Sequence, residues 1–418
     1  MLKEERVILV TYPEQYTIKE AIALVTTAGY NVVDVVTQKY LKRAKYGLGK
    51  GKLQELLEKI KEEEVDKIVF DETLKTTQAY NLAKESQKEI IDREKLILQI
   101  FTKHASTSEA KLQVKLAELK YELIRAKMKV RLARRGEQPG FFGLGEYEVD
   151  VYKNSVKKQV ESATRKLLEI QNQRGVQRAL REKQDISLVS LAGYTSAGKT
   201  SLFNLLTNED LQISEQIFTT LRTTTRKIPN EKNLLISDTV GFIRRIPTYM
   251  IEAFKSTLEE LKYADAILLM VDASEPIEEL RDKFLTSLNI LQELGVSITD
   301  LIVVLNKQDL VSETKISEIK EQFAKEKTEF VIVSSKTGFG VDTLFEKIHA
   351  RIGEARGDYF LDNHTIPIIS DRLDWLKKSS NVKVTKCEEG LHVEVVGKRI
   401  ILKQFENYLK RARRNIHT

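Results

Sequence analysis

The sequence predicts an α/β protein of several domains, and three observations lead to this fold class. The chain has 418 residues, enough for about two to four domains of ordinary size. Short apolar, β-branched runs alternate with amphipathic helical patterns in residues 1–103 and again in residues 185–355. A long charged stretch, 104–184, separates the two. A predicted linker of small and polar residues, Gly353–Gly357, leads into a short α+β pattern in residues 356–418. We therefore expect four domains with these boundaries.

The N-terminal domain is predicted to hold a small parallel sheet covered by helices on both faces. Its strand candidates are almost continuously apolar, and the stretches between them are long enough for helices. The predicted strands are Arg6–Thr11, Asn31–Thr37, Asp66–Asp71 and Leu96–Phe101, and the predicted helices are Thr17–Ala28, Lys52–Glu63 and Thr77–Gln87. Three glycines, Gly47, Gly49 and Gly51, either approach a phosphate group or form an ordinary strand-to-helix loop.

The second domain is predicted to be a long antiparallel helical hairpin. Leucines recur at spacings of three and four between Ser106 and Arg135, and a second charged helix runs from about Val151 to Lys183. The helix breakers between them are Gly136, Pro139, Gly140, Gly143 and Gly145. The tip loop also carries Phe141, Phe142, Leu144 and Tyr147. These apolar side chains either pack inward or form a contact surface.

The positive charge of the chain is concentrated in three segments. The chain has 68 Lys and Arg against 61 Asp and Glu, a net charge of +7. Residues 109–137, 151–184 and 398–418 carry +5, +6 and +6, so the remainder is about −10. Solvated helix faces are the simpler explanation, but such an uneven distribution favours a nucleic-acid surface.

Composition also excludes several classes of protein. A single cysteine, Cys387, excludes an internal disulfide and a metal cluster built from several cysteines. The longest apolar runs, such as Ala266–Val271, are far shorter than the roughly 18 to 20 residues of a membrane span, and no signal-peptide pattern is present. We expect a cytoplasmic, monomeric protein without a membrane span.

A phosphate-binding loop is predicted at the start of the third domain. The buried-strand pattern Ser187–Ala192 runs into Gly193-Tyr194-Thr195-Ser196-Ala197-Gly198-Lys199-Thr200, which matches GxxxxGK[ST], and the helix Ser201–Leu206 follows. Glycines let backbone N–H groups surround phosphate oxygens. Lys199 supplies charge to the β- and γ-phosphates, and Thr200 supplies a hydroxyl to Mg²⁺.

Later motifs indicate that the bound base is guanine. Asn306-Lys307-Gln308-Asp309 ends the apolar strand Leu301–Leu305 and matches NKxD. A carboxylate at Asp309 accepts hydrogen bonds from guanine, whereas adenine would leave it unpaired. Ser334-Ser335-Lys336 follows the strand Phe330–Val333 and suits a loop that supports the base. The expected ligands are therefore GTP and GDP, with Mg²⁺.

Two elements that respond to the γ-phosphate lie between these motifs. Asp238-Thr239-Val240-Gly241 follows the strand Leu234–Ile236, where the aspartate reaches Mg²⁺ through water and Gly241 donates its N–H to the γ-phosphate. In the earlier element, Phe218-Thr219-Thr220-Leu221-Arg222, a threonine can bind Mg²⁺ when triphosphate is present. Chemistry alone leaves Thr219 and Thr220 as alternatives. Five elements in this order predict a Mg²⁺-dependent GTPase.

The chain resembles the HflX family of ribosome-associated translational GTPases. The matching segments are Tyr46-Gly47-Leu48-Gly49-Lys50-Gly51-Lys52, Ile68-Val69-Phe70-Asp71, Ile91-Asp92-Arg93, Glu109-Ala110-Lys111-Leu112-Gln113-Val114-Lys115-Leu116-Ala117 and Phe218-Thr219-Thr220-Leu221. The resemblance implies that Thr220 binds Mg²⁺ with Thr200, and we expect Lys199, Thr220 and Gly241 to act in hydrolysis. It also implies a GTPase that binds the large ribosomal subunit and its RNA, and splits, rescues or regulates ribosomes. The alternative is an RNA-binding scaffold or ribosome-assembly factor that hydrolyses GTP slowly.

Three departures qualify this resemblance. Phe242 stands where Ras-type GTPases have a glutamine that orients the attacking water, so we expect slow hydrolysis that the ribosome stimulates. Ser196 replaces the usual asparagine of the family, which helps to hold K⁺ in related GTPases, and this puts a K⁺-assisted mechanism in question. The hairpin tip, residues 140–145, also differs from that of bacterial members.

Overall fold

The structure is a computed structural model. The chain folds into two units. It describes residues 5–133, 146–183, 186–209, 211, 223–231, 233–296, 301–323, 330–363, 365–387, 389–398, 401–402, 405–406, 408–409 and 412. The first unit comprises the described residues of 1–174 and 243–257, and the second those of 175–213, 223–242 and 258–418. The division into four domains stays a prediction.

A four-stranded parallel sheet with buried faces forms the base of the first unit. Its elements are β1 (Arg6–Thr11), α1 (Gln15–Ala28), β2 (Asn31–Thr37), α2 (Lys50–Glu62), β3 (Lys67–Phe70), α3 (Thr76–Ser86), β4 (Glu89–Asp92) and α4 (Arg93–His104). The strand order is β2-β1-β3-β4, with every neighbouring pair parallel. Ile8 and Phe70 lie in a core with residues of α2 and α3, while Val7 and Leu9 on the opposite face are equally buried. The predicted α/β class is confirmed.

One predicted strand of this sheet is a helix. The fourth strand is β4, and the prediction of a strand over Leu96–Phe101 is wrong because this run lies inside α4. Asp92 caps the helix by accepting a hydrogen bond from the backbone N–H of Lys95 at 3.0 Å. All residues of the run except Gln99 are buried, so the run by itself shows no helical period, and most of the polar side of α4 lies outside it, at Lys95, Thr102 and Lys103. A short buried helix and a buried strand then produce the same apolar pattern.

The first unit also contains the helical hairpin up to Arg174, whereas residues 175–183 of the second hairpin helix fall in the second unit. The hairpin helices are α5 (Ser108–Ala133) and α6 (Glu146–Lys183). Arg174 bonds to Glu109 at 2.6 Å, and the hydroxyl of Tyr152 bonds to Glu122 at 3.0 Å. These pairs join opposite ends of the two helices, which therefore run antiparallel as predicted. The predicted tip loop lies outside the described residues, except Tyr147, which falls within α6.

A six-stranded sheet forms the centre of the second unit. Its elements are β5 (Ser187–Gly193), α7 (Lys199–Thr207), β6 (Thr224–Lys227), β7 (Leu234–Asp238), β8 (Ala266–Asp272), α10 (Ile277–Glu293), β9 (Leu301–Asn306), α11 (Glu313–Phe323), β10 (Phe330–Ile332) and α12 (Val341–Arg351), while α8 (Thr248–Ala253) lies in the first unit and α9 (Lys255–Lys262) spans the boundary in sequence. The order is β10-β9-β8-β5-β7-β6, antiparallel only between β6 and β7. All residues of β5, β8 and β9 are buried. The predicted motifs follow the carboxyl ends of these strands, where open α/β sheets bind ligands.

The C-terminal part of the second unit is a small antiparallel sheet with a helix on one face. Its elements are β11 (Glu354–Asp362), α13 (Thr365–Ser379), β12 (Asn381–Cys387) and β13 (Gly390–Lys398), with β13 in the centre. The predicted linker Gly353–Gly357 is wrong, since β11 begins at Glu354 and pairs with β13 along its whole length. The local composition of this stretch does not reveal the pairing, because the paired residues lie between 28 (Asp362 to Gly390) and 44 (Glu354 to Lys398) positions later in the chain. None of the helices within the described ranges is long and apolar enough to cross a membrane.

Candidate nucleotide-binding site

The loop after β5 has the tight backbone conformation that a phosphate loop requires. Gly193 has φ +133°, and a Cβ there would lie 2.4 Å from the carbonyl oxygen of Met270. Gly198 has φ +91°, and a Cβ there would lie 2.1 Å from Nδ2 of Asn306. Both positions therefore need glycine. Ser196 also lies in the left-handed region, at φ +64°, and completes the turn into α7.

Lys199 begins α7 with its ammonium group turned into this loop. Its Nζ donates hydrogen bonds to the carbonyl oxygens of Gly193 at 3.1 Å and Tyr194 at 2.8 Å. Burial lowers the pKa of Lys199 to about 8, although the neighbouring charge of Asp238 acts in the opposite direction. A phosphate group in the loop would supply this lysine with a negative partner and stabilise its charged form.

Thr200 and Asp238 form a site that fits Mg²⁺. The Thr200 hydroxyl donates to Oδ2 of Asp238 at 2.9 Å. The other carboxylate oxygen, Oδ1, is buried and has no hydrogen-bond partner among the described residues. Burial raises the pKa of Asp238 above its ordinary range, against the opposing effect of Lys199. Hydroxyl and carboxylate oxygens are ligands that Mg²⁺ prefers, and a metal-bound water can donate to the unpaired oxygen.

The Asp238–Gly241 motif lies directly against the phosphate loop. Thr239 donates its hydroxyl to the carbonyl oxygen of Leu191 at 2.6 Å. A Cβ at Gly241 would lie 2.9 Å from Nζ of Lys199, so glycine permits this close approach. The predicted partner element Phe218–Arg222, including Thr219, Thr220 and Leu221, lies outside the described residues.

Phe242 connects the two motifs through its backbone. Its N–H donates to the carbonyl oxygen of Gly193 at 3.0 Å, and its carbonyl accepts from the N–H of Thr195 at 2.9 Å. Its side chain is buried, as is that of Val240. The residue therefore has a structural contact with the phosphate loop, and its ring offers no hydrogen bond to a water molecule.

The predicted base-binding residues come together at the ends of β9 and β10. Asn306 donates from Nδ2 to the carbonyl oxygen of Ala197 at 2.9 Å and accepts from the N–H of Ser335 at 3.0 Å. Ser334 donates to Oδ1 of Asp309 at 2.6 Å, and Gln308 lies in the same short 3-10 turn as Asp309. A cavity of about 510 Å³ lies here, lined in part by Gly198, Asn306, Lys307, Asp309, Ser335 and Lys336. The loop and the NKxD motif thus form one site.

Sequence reasoning missed one acidic residue of this site. Asp272, the last residue of β8, contacts Nζ of Lys307 through Oδ2 at 2.5 Å. Its other oxygen accepts from the N–H and hydroxyl of Ser274 at 2.9 and 2.5 Å. The available signal was an aspartate directly after a buried apolar strand. Asp272 therefore holds Lys307 in position within the NKxD motif.

A second feature that sequence reasoning missed is a cluster of buried charged residues in the first unit, here called the ion cluster. The ion cluster binds the segment 243–257 through Arg244 and Arg245. Arg93 donates to Asp71, to Glu20 at 2.6 Å and to the carbonyl oxygen of Arg244 at 2.8 Å. Arg245 donates to the carboxylate and to the carbonyl oxygen of Asp71, both at 2.9 Å. Asp71 and Arg93 lie in two of the segments noted for their family resemblance. Their contacts account for the packing of the chain immediately after the Asp238–Gly241 motif.

Aromatic and polar contacts further along this segment add to the cluster. The hydroxyl of Tyr249 donates to Glu94 at 3.0 Å, and the rings of Phe254 and Phe101 meet edge to face at 4.6 Å between centroids. Lys120 of α5 bonds to Glu252 at 2.7 Å. The segment 243–257 is therefore held to α4 and to α5 within the first unit.

Comparisons with known proteins agree with these motifs. Residues 15–102 match the family described as GTP-binding GTPase N-terminal, residues 104–181 the GTP-binding GTPase middle region, and residues 188–307 the family described as 50S ribosome-binding GTPase. The chain is 44% identical to GTPase HflX of Methanocaldococcus jannaschii, over 87% of this chain and 89% of that protein. It is 45% identical to GTPase HflX of Thermococcus kodakarensis, over 71% and 67% respectively.

A solved structure is also similar to the chain. It is a GTP-binding protein from the hyperthermophilic archaeon Sulfolobus solfataricus in complex with GDP, with 28% identity and a TM-score of 0.45. The similarity covers 83% of this chain and 98% of that protein.

Proposed function

The chain belongs to the HflX family and is a P-loop GTPase that binds guanine nucleotides, and on this premise we propose that it binds the large ribosomal subunit and its RNA. We further propose that it couples GTP hydrolysis to the splitting, rescue or regulation of ribosomes. The observation that carries this proposal is the basic hairpin, whose segments 109–137 and 151–184 together carry +11, whereas the whole chain has a net charge of +7. On α6 the side chains of Lys157, Lys158, Arg165 and Lys166 are exposed. Ribosomal RNA is the polyanion that such a surface fits.

The residues of the nucleotide site support Mg²⁺-dependent hydrolysis. Lys199 and the backbone N–H groups of the phosphate loop stabilise the charge that develops on the transferred phosphoryl group. Thr200 and Thr220 would hold Mg²⁺ directly and Asp238 through water, and the ion would neutralise charge on the β- and γ-phosphates. Gly241 would donate its N–H to the γ-phosphate. The observation that supports this metal site is the buried Oδ1 of Asp238, which has no hydrogen-bond partner among the residues that the structure describes.

Slow intrinsic hydrolysis and its stimulation by the ribosome form the next part of the proposal. The buried ring of Phe242 occupies the position from which a glutamine orients water in Ras-type GTPases. The water must then be oriented by backbone groups, another loop or the bound ribosome. A stimulated enzyme is the function that this arrangement favours.

Conformational coupling is the proposed output of hydrolysis. Residues 238–242 belong to the second unit, and the chain continues directly into residues 243–257 of the first unit. Release of the γ-phosphate frees Gly241 from its contact, and the movement passes along the backbone to Arg244 and Arg245. A shift of Arg244 and Arg245 would change their contacts with Arg93 and Asp71 in the ion cluster. This change would alter the affinity of the protein for the ribosome.

GTP turnover with and without purified large ribosomal subunits tests the proposal. Measurements at two salt concentrations, with ATP as a parallel substrate, should show stimulation that is specific to GTP and weakens with salt. A triple variant of the hairpin, K157Q/K158Q/R165Q, should lose most of the stimulation. The matched control K19Q/K61Q/K84Q removes the same charge from exposed lysines of the N-terminal sheet domain and should retain it.

Two results would redirect the interpretation. Tight GTP binding without stimulation would favour the RNA-binding scaffold or the assembly factor. Lys199→Ala separates these cases, because a switch enzyme loses turnover and nucleotide-dependent release, whereas a scaffold keeps its RNA affinity. Equal ribosome affinity and equal small-angle scattering for the GDP-bound and GTP-analogue-bound forms would refute the coupling.

A further inference from the structure

We propose that residues 38–52, here called the basic loop, form a second RNA-binding surface, separate in sequence from the hairpin. The basic loop joins β2 to the first turn of α2. Its cations would contact phosphates, and Tyr40 would stack on an unpaired base. This inference rests on the proposed function in that it names a further contact with RNA.

Charge is segregated into the basic loop within its domain. Residues 1–103 contain 18 Lys and Arg against 17 Asp and Glu, so this part of the chain is almost neutral. Six of the 18 cations lie in the basic loop, and no acidic residue occurs between Asp34 and Glu55. Solubility alone does not require cations to be grouped apart from acidic residues, because interspersed charges of both signs also keep a protein soluble. A polyanion would find here a compact positive patch.

Most of these cations are free to meet a partner. Lys39, Arg43 and Lys50 are exposed. Lys42 lies 3.5 Å from Glu72 but remains 61% exposed. Pairs of this kind contribute little to stability, so their lysines can exchange a carboxylate for a phosphate at small cost. The cations are therefore available for binding.

The backbone of the basic loop is held in one conformation. Gln78, a buried residue of α3, donates to the carbonyl oxygen of Arg43 at 2.7 Å, and Asn81 donates to that of Lys45 at 2.9 Å. Arg43 and Gly47 exchange two backbone hydrogen bonds, at 3.2 and 2.8 Å. The exposed side chains are thus presented on a fixed frame, which reduces the entropy lost on binding.

Gly47 explains part of this rigidity. It has φ +75°, and a Cβ there would lie 2.7 Å from the ring of Phe70 in the core. This glycine therefore packs the basic loop against the sheet. The positive charge that meets phosphate belongs to the exposed side chains around it.

Tyr40 distinguishes RNA from an acidic protein as the partner. Its side chain is 53% exposed, and the guanidinium of Arg43 lies 5.6 Å from its ring centroid. Exposed aromatic rings beside cations are typical of surfaces that bind unpaired RNA, because every base has a face that can stack. Carboxylates of a protein partner would gain nothing from the ring. The combination favours RNA with unpaired bases.

Binding of the full-length protein to two probes tests the inference. The probes are a fluorescein-labelled RNA hairpin with an unpaired loop and purified large ribosomal subunits. The variant K39Q/R43Q/K50Q should bind the RNA more weakly and lower the slope of log K against log salt by about 2, since each phosphate contact contributes about 0.7 to 0.9. The control K19Q/K61Q/K84Q has the same charge change and should keep the wild-type slope.

Tyrosine variants test the stacking contact. Tyr40→Ala should weaken RNA binding roughly tenfold at unchanged salt slope, while Tyr40→Phe should bind like the wild type because the ring remains. Tyr80, 41% exposed on α3, provides the matched control Tyr80→Ala. Unchanged far-UV circular dichroism and an unchanged urea midpoint in all variants would show that the first unit, which carries these residues, remains folded.

The outcomes separate this inference from the proposed function. Equal salt slopes for K39Q/R43Q/K50Q and its control would overturn the RNA surface on the basic loop, even if subunit binding depends on nucleotide. Loss of binding only in the basic-loop variants, without any dependence of subunit binding on GTP, would support the surface and overturn the proposed function. Competition by polyaspartate as effective as that by RNA would assign the basic loop to an acidic protein instead.

Discussion

Asp71→Asn tests whether the buried ion cluster holds the first unit together. The Asp71 carboxylate is 2% exposed and accepts from Thr11 at 2.7 Å, from Arg93, and from Arg245 at 2.9 Å. A hydrogen bond to a charged group contributes about 1.5–3 kcal/mol, against about 0.5–1.5 kcal/mol between neutral groups. Removing the charge therefore costs about 1 kcal/mol or more per arginine, with a smaller share for Arg245, which is 31% exposed. The amide nitrogen of asparagine also cannot accept a hydrogen bond, so the donors that face the replaced oxygen lose their acceptor.

The expected loss is about 2 to 3 kcal/mol in the free energy of unfolding of the first unit. Asparagine has the size of aspartate, so no cavity contributes to this value. The loss lies just below the roughly 3–5 kcal/mol found when one partner of a buried ion pair is removed. With a urea dependence of about 1–3 kcal/mol per molar, the midpoint should fall by about 0.7 to 3 M.

Urea unfolding followed by two probes measures this effect. Far-UV circular dichroism reports both units, whereas the single tryptophan, Trp375 in α13, reports the second unit. The dichroism transition should shift while the fluorescence transition stays in place. The control Asp66→Asn removes an exposed carboxylate that accepts from the N–H of Arg6 at 2.7 Å, and it should cost less than about 1 kcal/mol. Equal urea midpoints of the circular dichroism transition for Asp71→Asn and Asp66→Asn would show that the charge of Asp71 does not stabilise the first unit.

Three further predictions concern the affinity of the nucleotide site for GDP, which is measured by titration with fluorescent GDP. Affinity should fall by up to about tenfold per pH unit above pH 8, because burial lowers the pKa of Lys199 to about 8 and its neutral amine no longer attracts phosphate. Asp272→Asn should weaken binding about 2- to 10-fold, because Lys307 loses the charged partner that positions it. Gly198→Ala should abolish binding, whereas Gly295→Ala, with φ +78° and no atom of the described residues within 4 Å of the added Cβ, should not.

Each of these predictions has an outcome that contradicts it. Lys199→Arg keeps its charge throughout this pH range, so any binding it retains should be independent of pH; a flat wild-type profile would show that the lysine is fully charged. Wild-type affinity in Asp272→Asn would mean that Lys307 is positioned without its partner. Equal GDP affinity of the Gly198→Ala and Gly295→Ala variants would show that the phosphate loop has room for a methyl group.

The sequence by itself determined the nucleotide site, because its motifs are local. Each motif follows directly after a buried strand, so strand pattern and motif together place it at the carboxyl edge of the sheet. The loop Gly193–Thr200 and the motif Asn306–Asp309 were both predicted in this way, and the structure brings Ala197 and Asn306 together at 2.9 Å. The parallel sheet of the first unit was likewise predictable, since β1 and β2 have the bounds that their apolar runs indicate.

Only the tertiary structure decided the features that depend on residues distant in sequence. The run Leu96–Phe101 is apolar because the fold buries all of it except Gln99, which hides the helical period from a reading of the run alone, and β11 exists because β13 pairs with it. Asp71 meets Arg245 across 174 positions of the chain. Burial and pairing between distant segments have no periodic signature of their own, because each side chain's environment is supplied by other parts of the fold. The packing of segment 243–257 against α4 therefore became visible only in the folded chain.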